Sequence, residues 1–192
     1  MSDHKTTVRT SFHNKPCIPM GKYRFLINPL TEQIPATSAE LLSAAADWLV
    51  ETGEFSQATK IAGEEDKGAI LVAAVALKTG LPFGMARWYP SGIDGQVSVD
   101  FNMEYTQGKL FLNGIEAGDK VVIVDDMVST GGTMVALIQA IQQAGAEILD
   151  MICVGEKPAY KGVERIYNET GFRVKTLVKI DVEGEISRVL DG

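Results

Sequence analysis

One stretch of the chain places acidic, hydroxyl-bearing and glycine residues in a fixed order after an apolar run. Asp125 and Asp126 follow residues 120–124, and the run STGGT follows at residues 129–133. The backbone N–H groups of such a loop, with the first turn of a following helix, can converge on an anion. The two glycines allow backbone conformations that side chains forbid. We therefore predict a binding site for a phosphate monoester in this loop.

The two carboxylates call for a different ligand group, because they would repel a phosphate. Asp125 and Asp126 can instead accept hydrogen bonds from the vicinal hydroxyls of a ribose, or hold Mg²⁺. A Walker B interpretation needs GxxxxGK followed by Ser or Thr, and the chain contains neither that motif nor GxGxxG. A plain strand-to-helix connector is the other alternative, but a connector does not need two acids followed by three hydroxyls. The pattern favours a sugar 5-phosphate.

The elements around this stretch alternate between strands and helices. A capping box of Thr37 and Glu40 opens a helix that ends near Gly53. The continuous β-branched run at 120–124 is typical of a strand that is buried on both faces of a parallel sheet. Alternation of this kind indicates an α/β fold with a mainly parallel sheet flanked by helices, in which ligands bind at the carboxyl ends of the strands. Further strands are predicted at 58–62, 81–88, 147–154 and 173–180, and helices at 69–78, 133–144 and 159–170.

Length and composition restrict the class of protein. The chain has 192 residues and a formal net charge of −7, which argues against a general nucleic-acid binder. Two distant cysteines, Cys17 and Cys153, and two N-terminal histidines form neither a disulfide framework nor an ordinary structural zinc site. No apolar stretch approaches the roughly 20 residues of a membrane helix, and no signal peptide is visible. We expect a soluble, cytoplasmic protein with no nucleic-acid or membrane partner.

The chain divides into an arm and a core. Residues 1–36 lack clear periodicity and contain four prolines, so we expect an irregular N-terminal arm or hood there. Residues 37–192 form the α/β core. Within it, residues 89–108 are rich in Gly, Ser and Asp and predict a mobile loop. A hairpin turn is predicted at Asp94-Gly95, with flanking strands at 96–101 and 109–112.

The run from residue 121 to residue 133 resembles the phosphoribosyl pyrophosphate (PRPP) signature of type I phosphoribosyltransferases. That signature is an apolar strand, two acids and a loop of the form Ser/Thr-Gly-Gly-Thr. The resemblance extends from about residue 16 to residue 180 and is closest to purine phosphoribosyltransferases of the adenine type and of the archaeal hypoxanthine/guanine type. It implies a type I phosphoribosyltransferase-like core with a small N-terminal hood. It also implies Mg²⁺ as cofactor, a homodimer, and PRPP, a purine base and pyrophosphate as ligands.

The resemblance assigns roles within the signature. Asp125 and Asp126 would bind the ribose hydroxyls of PRPP and hold the metal, and Asp126 would help to stabilise positive charge that develops on the ribose. The residues implied to wrap the 5-phosphate, mostly through main-chain N–H groups, are Met127, Val128, Ser129, Thr130, Gly131, Gly132 and Thr133.

Two further segments are implied to face the pyrophosphate. The loop 63–68, GEEDKG, resembles the family's pyrophosphate loop and contains Glu64, Glu65, Asp66 and Lys67, with Lys67 where relatives often have Arg. Taken alone, this loop also fits a solvated turn. Arg87 ends the next strand, where relatives carry a basic cluster that assists catalysis, often across a dimer interface. This chain has Trp88 and Tyr89 in place of the other two cations.

The resemblance also implies a base site and a catalytic loop. Residues 89–108 match the loop that closes over PRPP and excludes water from the ribose centre. Within it, Met103-Glu104-Tyr105 resembles the Leu-Glu-Tyr of adenine enzymes, so Glu104 would handle a proton of the base. The hood residues Tyr23, Arg24 and Phe25 would cover the purine, with a further contribution from residues 154–157.

The reaction implied is purine salvage, in which a purine and PRPP give a purine nucleoside 5-monophosphate and pyrophosphate. Glu104 favours adenine as the base. Hypoxanthine or guanine is the alternative, because Asn28-Pro29-Leu30 and the loop at 109–114 look more like the archaeal type. Two further alternatives are a PRPP-binding regulator without catalysis, which the missing basic cluster keeps open, and a transferase for orotate or uracil.

Overall fold

An eight-stranded mixed sheet forms the centre of the molecule. The computed structural model of the chain describes residues 3–94, 96–102 and 107–190. The strand order is β10-β9-β8-β7-β3-β4-β6-β5, and the strands from β9 to β4 are parallel to one another. This confirms the predicted α/β class with a mainly parallel sheet. The strands of this sheet are β3 (Lys60–Glu64), β4 (Phe83–Arg87), β5 (Val97–Asn102), β6 (Gln107–Asn113), β7 (Lys120–Val128), β8 (Glu147–Glu156), β9 (Lys175–Asp181) and β10 (Arg188–Leu190).

Helices cover both faces of the sheet. Along β7, Val122 and Val124 belong to one buried cluster, whereas Val121 and Ile123 belong to the other, since successive strand side chains point to opposite faces. Both faces are therefore apolar, which explains the continuous β-branched run in the sequence. The helices are α1 (His4–Phe12), α2 (Ala39–Thr52) and α3 (Ala69–Thr79) against the first cluster, α4 (Gly132–Gln143) against the second, and α5 (Gly162–Thr170) beside α4.

The N-terminal segment is more regular than its sequence predicts. It contains α1 and an antiparallel hairpin of β1 (Cys17–Met20) and β2 (Tyr23–Leu26). The side chain of Asp3 caps α1 by accepting a hydrogen bond from the backbone N–H of Lys5. Val8 and Phe12 are fully buried among residues of α2, so this helix gains its stability from tertiary packing rather than from its own periodicity.

Helix α2 begins one residue later than the capping box predicts. Ser38 is the N-cap, and its hydroxyl accepts a hydrogen bond from Leu41 N at 3.1 Å. Thr37 instead donates its hydroxyl to Pro29 O and so ties the helix to the preceding turn. The prediction that Thr37 and Glu40 form the box is therefore wrong, although the helix and its end at Gly53 are confirmed.

Part of the segment predicted as a mobile loop at 89–108 belongs to the sheet, which confirms the strands predicted at 96–101 and 109–112. Strands β5 and β6 pair with each other from Val97↔Leu112 to Asn102↔Gln107, and β6 pairs antiparallel with β4. Asp94 precedes both strands, so the prediction that they flank a turn there is wrong. Closure of this segment over a ligand stays a prediction.

Candidate active site

A cavity of about 350 Å³ opens at the carboxyl ends of β3 and β7. Its floor is formed by these strands and by the loop after β7, and the β1–β2 hairpin provides a wall. This is where ligands bind in open α/β sheets. The cavity brings together most of the residues singled out from the sequence, namely Tyr23, Arg24, Phe25, Glu64, Asp66, Lys67, Asp125, Asp126, Met127, Val128, Ser129, Thr130, Gly131, Gly132 and Thr133.

The loop after β7 is tighter than the sequence indicates. β7 continues through both aspartates to Val128, so the connection to α4 contains only residues 129–131. Gly131 has φ +80°, and a Cβ added there would lie 2.7 Å from the carbonyl oxygen of Gly162. Glycine is therefore required on both conformational and steric grounds. The short loop places the first turn of α4 at the cavity, where its backbone N–H groups could hold an anion, and phosphate binding there stays a prediction.

Asp125 and Asp126 are buried at the base of the cavity. One carboxylate oxygen of Asp125 accepts a hydrogen bond from Asp126 N at 2.9 Å. Burial raises the pKa of Asp125 well above its usual range, and the neighbouring charge of Asp126 adds to this. Burial also raises the pKa of Asp126 to about 6. Within the described part of the chain, Oδ2 of Asp126 is buried without a hydrogen-bond partner, so it can accept from a ligand hydroxyl or from water on a cation.

Glu64 adds a third buried carboxylate to this group. Gly63 and Glu64 belong to β3 rather than to the predicted loop, because the strand pairs with β4 as far as Glu64↔Ala86. The side chain of Glu64 lies in the cavity wall. Burial, followed by the nearby charge of Asp66, raises the pKa of Glu64 to about 7. Near neutral pH the cavity therefore holds acids that favour either a proton or a cationic ligand.

The loop after β3 divides its side chains between two environments. Asp66 and Lys67 face the cavity, but Glu65 does not line it. Glu65 accepts a hydrogen bond from Trp88 N at 2.9 Å and lies 3.9 Å from Nε of Arg87. Arg87 is likewise outside the cavity lining, and its guanidinium packs over the ring of Tyr89 at 5.8 Å. Glu65 and Arg87 thus lie outside the cavity lining of this chain, and their contact with pyrophosphate, for Arg87 across a dimer interface as well, stays a prediction.

The hairpin contributes an aromatic ring and backbone groups to the cavity. Two ammonium groups lie near the ring of Phe25, Lys67 at 4.8 Å and Lys157 at 5.8 Å from its centroid. The guanidinium of Arg24 donates to Cys17 O at 3.1 Å, so it braces the hairpin. All three predicted base residues line the cavity, and Phe25 is the one whose aromatic ring could stack on a planar ligand between the two ammonium groups.

Several cavity residues are absent from the sequence-based site or only loosely part of it. Lys157 follows β8 and donates to Arg24 O at 3.2 Å, and burial lowers the pKa of its ammonium. Its place after the strand that neighbours β7 was the signal that could identify it. Glu32 lies in a non-periodic turn and contacts Lys67, and nothing in the sequence marks it. Leu26, Thr31 and Met134 complete the missed lining.

Two further predictions concern a loop residue and membrane association. Met103, Glu104 and Tyr105 lie outside the described residues, so the predicted role of Glu104 stays untested. Within the described residues no helix is both long enough and apolar enough to cross a membrane.

Comparisons with known proteins agree with this geometry. A family model described as "Phosphoribosyl transferase domain" matches residues 32–185. The chain is 43% identical over 167 residues to a hypoxanthine/guanine phosphoribosyltransferase of Methanocaldococcus infernus, covering 87% of this chain and 90% of that protein. The corresponding enzyme of Methanocaldococcus jannaschii is 42% identical with the same coverage.

Solved structures support the same fold. Adenine phosphoribosyltransferase from Thermoanaerobacter pseudethanolicus matches with a TM-score of 0.76 at 21% identity, covering 91% of this chain and 99% of that one. The enzyme from Rhodothermus marinus also matches with a TM-score of 0.76, at 24% identity, over 93% of this chain and 99% of that one. At such identities the likeness concerns the fold alone.

Fold and site together define an α/β protein with an anion loop beside a carboxylate pair, the arrangement of a ribose-phosphate transferase. The chain belongs to the type I phosphoribosyltransferase family, among the purine phosphoribosyltransferases.

Proposed function

We propose that this protein is a hypoxanthine/guanine phosphoribosyltransferase of purine salvage. The purine N9 forms a bond to C1 of PRPP, the bond from C1 to the pyrophosphate oxygen breaks, and the N9 proton is released. The products are inosine or guanosine 5-monophosphate and pyrophosphate. The names of the 43% and 42% identical relatives support an oxopurine substrate rather than the adenine that Glu104 favours.

The observation that carries this choice is the position of Lys157. Its ammonium lies beside the Phe25 ring in the cavity wall and is held there by Arg24 O. An ammonium has three donors and no acceptor. The 6-oxo group of hypoxanthine or guanine can accept from it, whereas the 6-amino group of adenine would present a second donor. A donor facing a donor in a partly desolvated site opposes binding.

The PRPP end of the proposed complex uses the remaining lining. The 5-phosphate would bind the backbone N–H groups of the loop 129–131 and the first turn of α4. The ribose hydroxyls would donate to Asp125 and Asp126, where Oδ2 of Asp126 has an open acceptor position. Lys67 would face the pyrophosphate. The buried carboxylates also stabilise positive charge that develops at C1, because they act in a water-poor environment.

The same carboxylates fit Mg²⁺. In the described residues no three His, Cys, Asp or Glu side chains are arranged to enclose a metal ion. Mg²⁺ does not require such a cage, since it usually keeps several waters and binds one or two carboxylates together with substrate phosphates. Asp125 and Asp126 would hold it through the unpaired oxygen and bound water. When bound, the ion offsets negative charge on the pyrophosphate leaving group.

A nucleotide-formation assay tests the proposal. Protein, Mg²⁺ and PRPP are mixed separately with hypoxanthine, guanine, xanthine and adenine. We expect product from hypoxanthine and guanine, and the Lys157→Met variant should lower kcat/KM for both by roughly 10- to 100-fold, the loss of one charge-assisted hydrogen bond. Lys78→Met is the matched control, because Lys78 pairs with Asp47 on the surface of α3. Adenine as the preferred base of the unaltered protein would overturn the proposal.

The sequence also predicts an oligomeric state and a cellular location, and both stay proposals. A homodimer and a cytoplasmic location stay predictions. Sedimentation of the purified protein tests the first, and fractionation of the source cells tests the second.

A further inference from the structure

Besides Lys157, the cavity near Phe25 contains a charged residue, Glu32, that has no assigned role. Glu32 lines the cavity with Lys67, and its carboxylate is in contact with the Lys67 ammonium through Oε1. The Lys67 side chain is 29% exposed and that of Glu32 is 19% exposed, so this pair is largely removed from solvent. The contact also lies against Phe25, because the same ammonium is 4.8 Å from that ring.

The turn that carries Glu32 is held firmly. Asn28 is fully buried, and its carboxamide oxygen accepts hydrogen bonds from Leu30 N at 2.9 Å and Thr31 N at 3.0 Å. Its amide nitrogen donates to the Thr31 hydroxyl at 2.7 Å. The backbone N–H of Glu32 then donates to Asn28 O at 3.2 Å. A side chain anchored on such a turn has a defined position, which a residue that discriminates between ligands requires.

We propose that Glu32 is a specificity-determining residue that selects guanine against xanthine. This inference rests on the proposed function. Guanine presents N1–H and a 2-amino group, and a carboxylate can accept from both through its two oxygens. Xanthine presents a 2-oxo group, which a carboxylate repels. The positive charge of Lys157 thus faces the 6-oxo group of the base, and the negative charge of Glu32 faces its N1–H and 2-amino groups.

The pair with Lys67 links base recognition to the pyrophosphate site. Lys67 stands in the loop after β3, beside the carboxylates that would hold PRPP. Its ammonium forms an ion pair with Glu32. A bound pyrophosphate competes with Glu32 for the Lys67 ammonium. When the ammonium moves to the pyrophosphate, the Glu32 carboxylate is left free to accept hydrogen bonds from the base. Guanine should therefore bind more tightly when pyrophosphate or PRPP is present.

The isosteric variant Glu32→Gln tests this role. Gln keeps the volume and one acceptor but adds an N–H donor that suits the 2-oxo group. We expect the ratio of kcat/KM for guanine to that for xanthine to fall at least about 10-fold, because one strong hydrogen bond is lost and one repulsion is removed. Hypoxanthine, which has N1–H alone, should lose less than guanine. Glu183→Gln, an exposed substitution before the C-terminal strand, is the matched control.

Equilibrium binding gives a readout that does not depend on turnover. The dissociation constants of guanosine and xanthosine 5-monophosphate are measured by calorimetry on both variants, with melting curves to verify folding. Weaker guanosine and tighter xanthosine monophosphate binding in Glu32→Gln supports the role. An unchanged ratio in a folded variant overturns it while leaving the proposed function intact. Failure of the unaltered protein to use hypoxanthine and guanine overturns the proposed function instead.

Discussion

The phenol oxygen of Tyr160 accepts a hydrogen bond from the backbone N–H of Arg24 at 2.7 Å. The ring of Tyr160 also meets the ring of Tyr23 edge to face, with centroids 5.0 Å apart. Tyr160 ends the short 3-10 turn Pro158–Tyr160 that follows β8, so these contacts dock the hairpin onto the edge of the core next to Lys157. The position of the β1–β2 hairpin over the cavity therefore depends on one turn that connects two distant parts of the chain.

Removal of this hydroxyl should weaken base binding as well as the docking of the hairpin. In Tyr160→Phe the N–H of Arg24 loses its acceptor at a partly solvated position, which costs about 1 kcal/mol. We expect KM for the base to rise about 3- to 10-fold while kcat and KM for PRPP change little. Steady-state kinetics measure this. Tyr167→Phe is the control, because Tyr167 is exposed on α5. Equal effects in the two variants would contradict the docking role.

Replacement of Asp126 by Asn should remove activity and raise stability. The carboxylate is buried and its pKa is raised to about 6, so the ionised form is unfavourable in the free protein. The amide removes that charge, and we expect a gain of about 1–2 kcal/mol at pH 8, or a few degrees in Tm. Without the carboxylate, kcat/KM for PRPP should fall at least about 100-fold.

Transfer assays and thermal melts of the same Asp126→Asn preparation measure both effects. Asp47→Asn serves as the control, because Asp47 lies on the surface of α2 in a pair with Lys78. A variant with unchanged affinity for PRPP and full turnover would remove Asp126 from the site.

The stability of the protein should depend on the protonation of Glu64. Its pKa is raised from 4.5 to about 7, so the folded state binds its proton more tightly than the unfolded state. The contribution of this proton to stability is complete below pH 4.5 and is lost as the pH rises towards 7. Glu64→Gln should therefore exceed the unaltered protein in stability by about 1–3 kcal/mol at pH 8, with little difference at pH 4.

Denaturant unfolding of both proteins at several pH values tests this dependence. The difference in unfolding free energy should grow between pH 4.5 and 7 and then level off. A difference that does not change with pH would mean that Glu64 is ionised in the free protein throughout this range.

Gly68 should be required for the position of Asp125. A Cβ at residue 68 would lie 2.3 Å from Oδ1 of Asp125, and the carboxylate has little room to move in its buried setting. In Gly68→Ala we expect KM for PRPP to rise at least about 10-fold, because the ribose ligand is displaced. Gly184→Ala is the matched control, since a Cβ there meets nothing closer than 3.6 Å. Isothermal titration with PRPP separates this loss of binding from any change in turnover.

The loop after β7 and the two acids before it could be identified from the sequence as a candidate site because they are contiguous. The strand, Asp125, Asp126 and the STGGT run form one local unit, and local chemistry alone predicts an anion beside carboxylates. The alternation of strands and helices predicted the α/β class in the same way. Sequence periodicity did not predict α1 or the hairpin, because these elements are stabilised by packing on distant residues.

The tertiary structure decided which side chains share the cavity. Glu32 and Lys67 are 35 positions apart, and Lys157 and Arg24 are 133 apart, so no local pattern can indicate that they meet. Arg87 lies with Glu65 and Tyr89 outside the cavity of this chain, a placement that its position in the sequence does not indicate, and its contact with pyrophosphate stays a prediction. The sequence by itself determined the chemistry at the end of β7. The docking of the β1–β2 hairpin at the cavity determined which side chains meet Phe25 and Lys157, because those contacts exist only after the chain has folded.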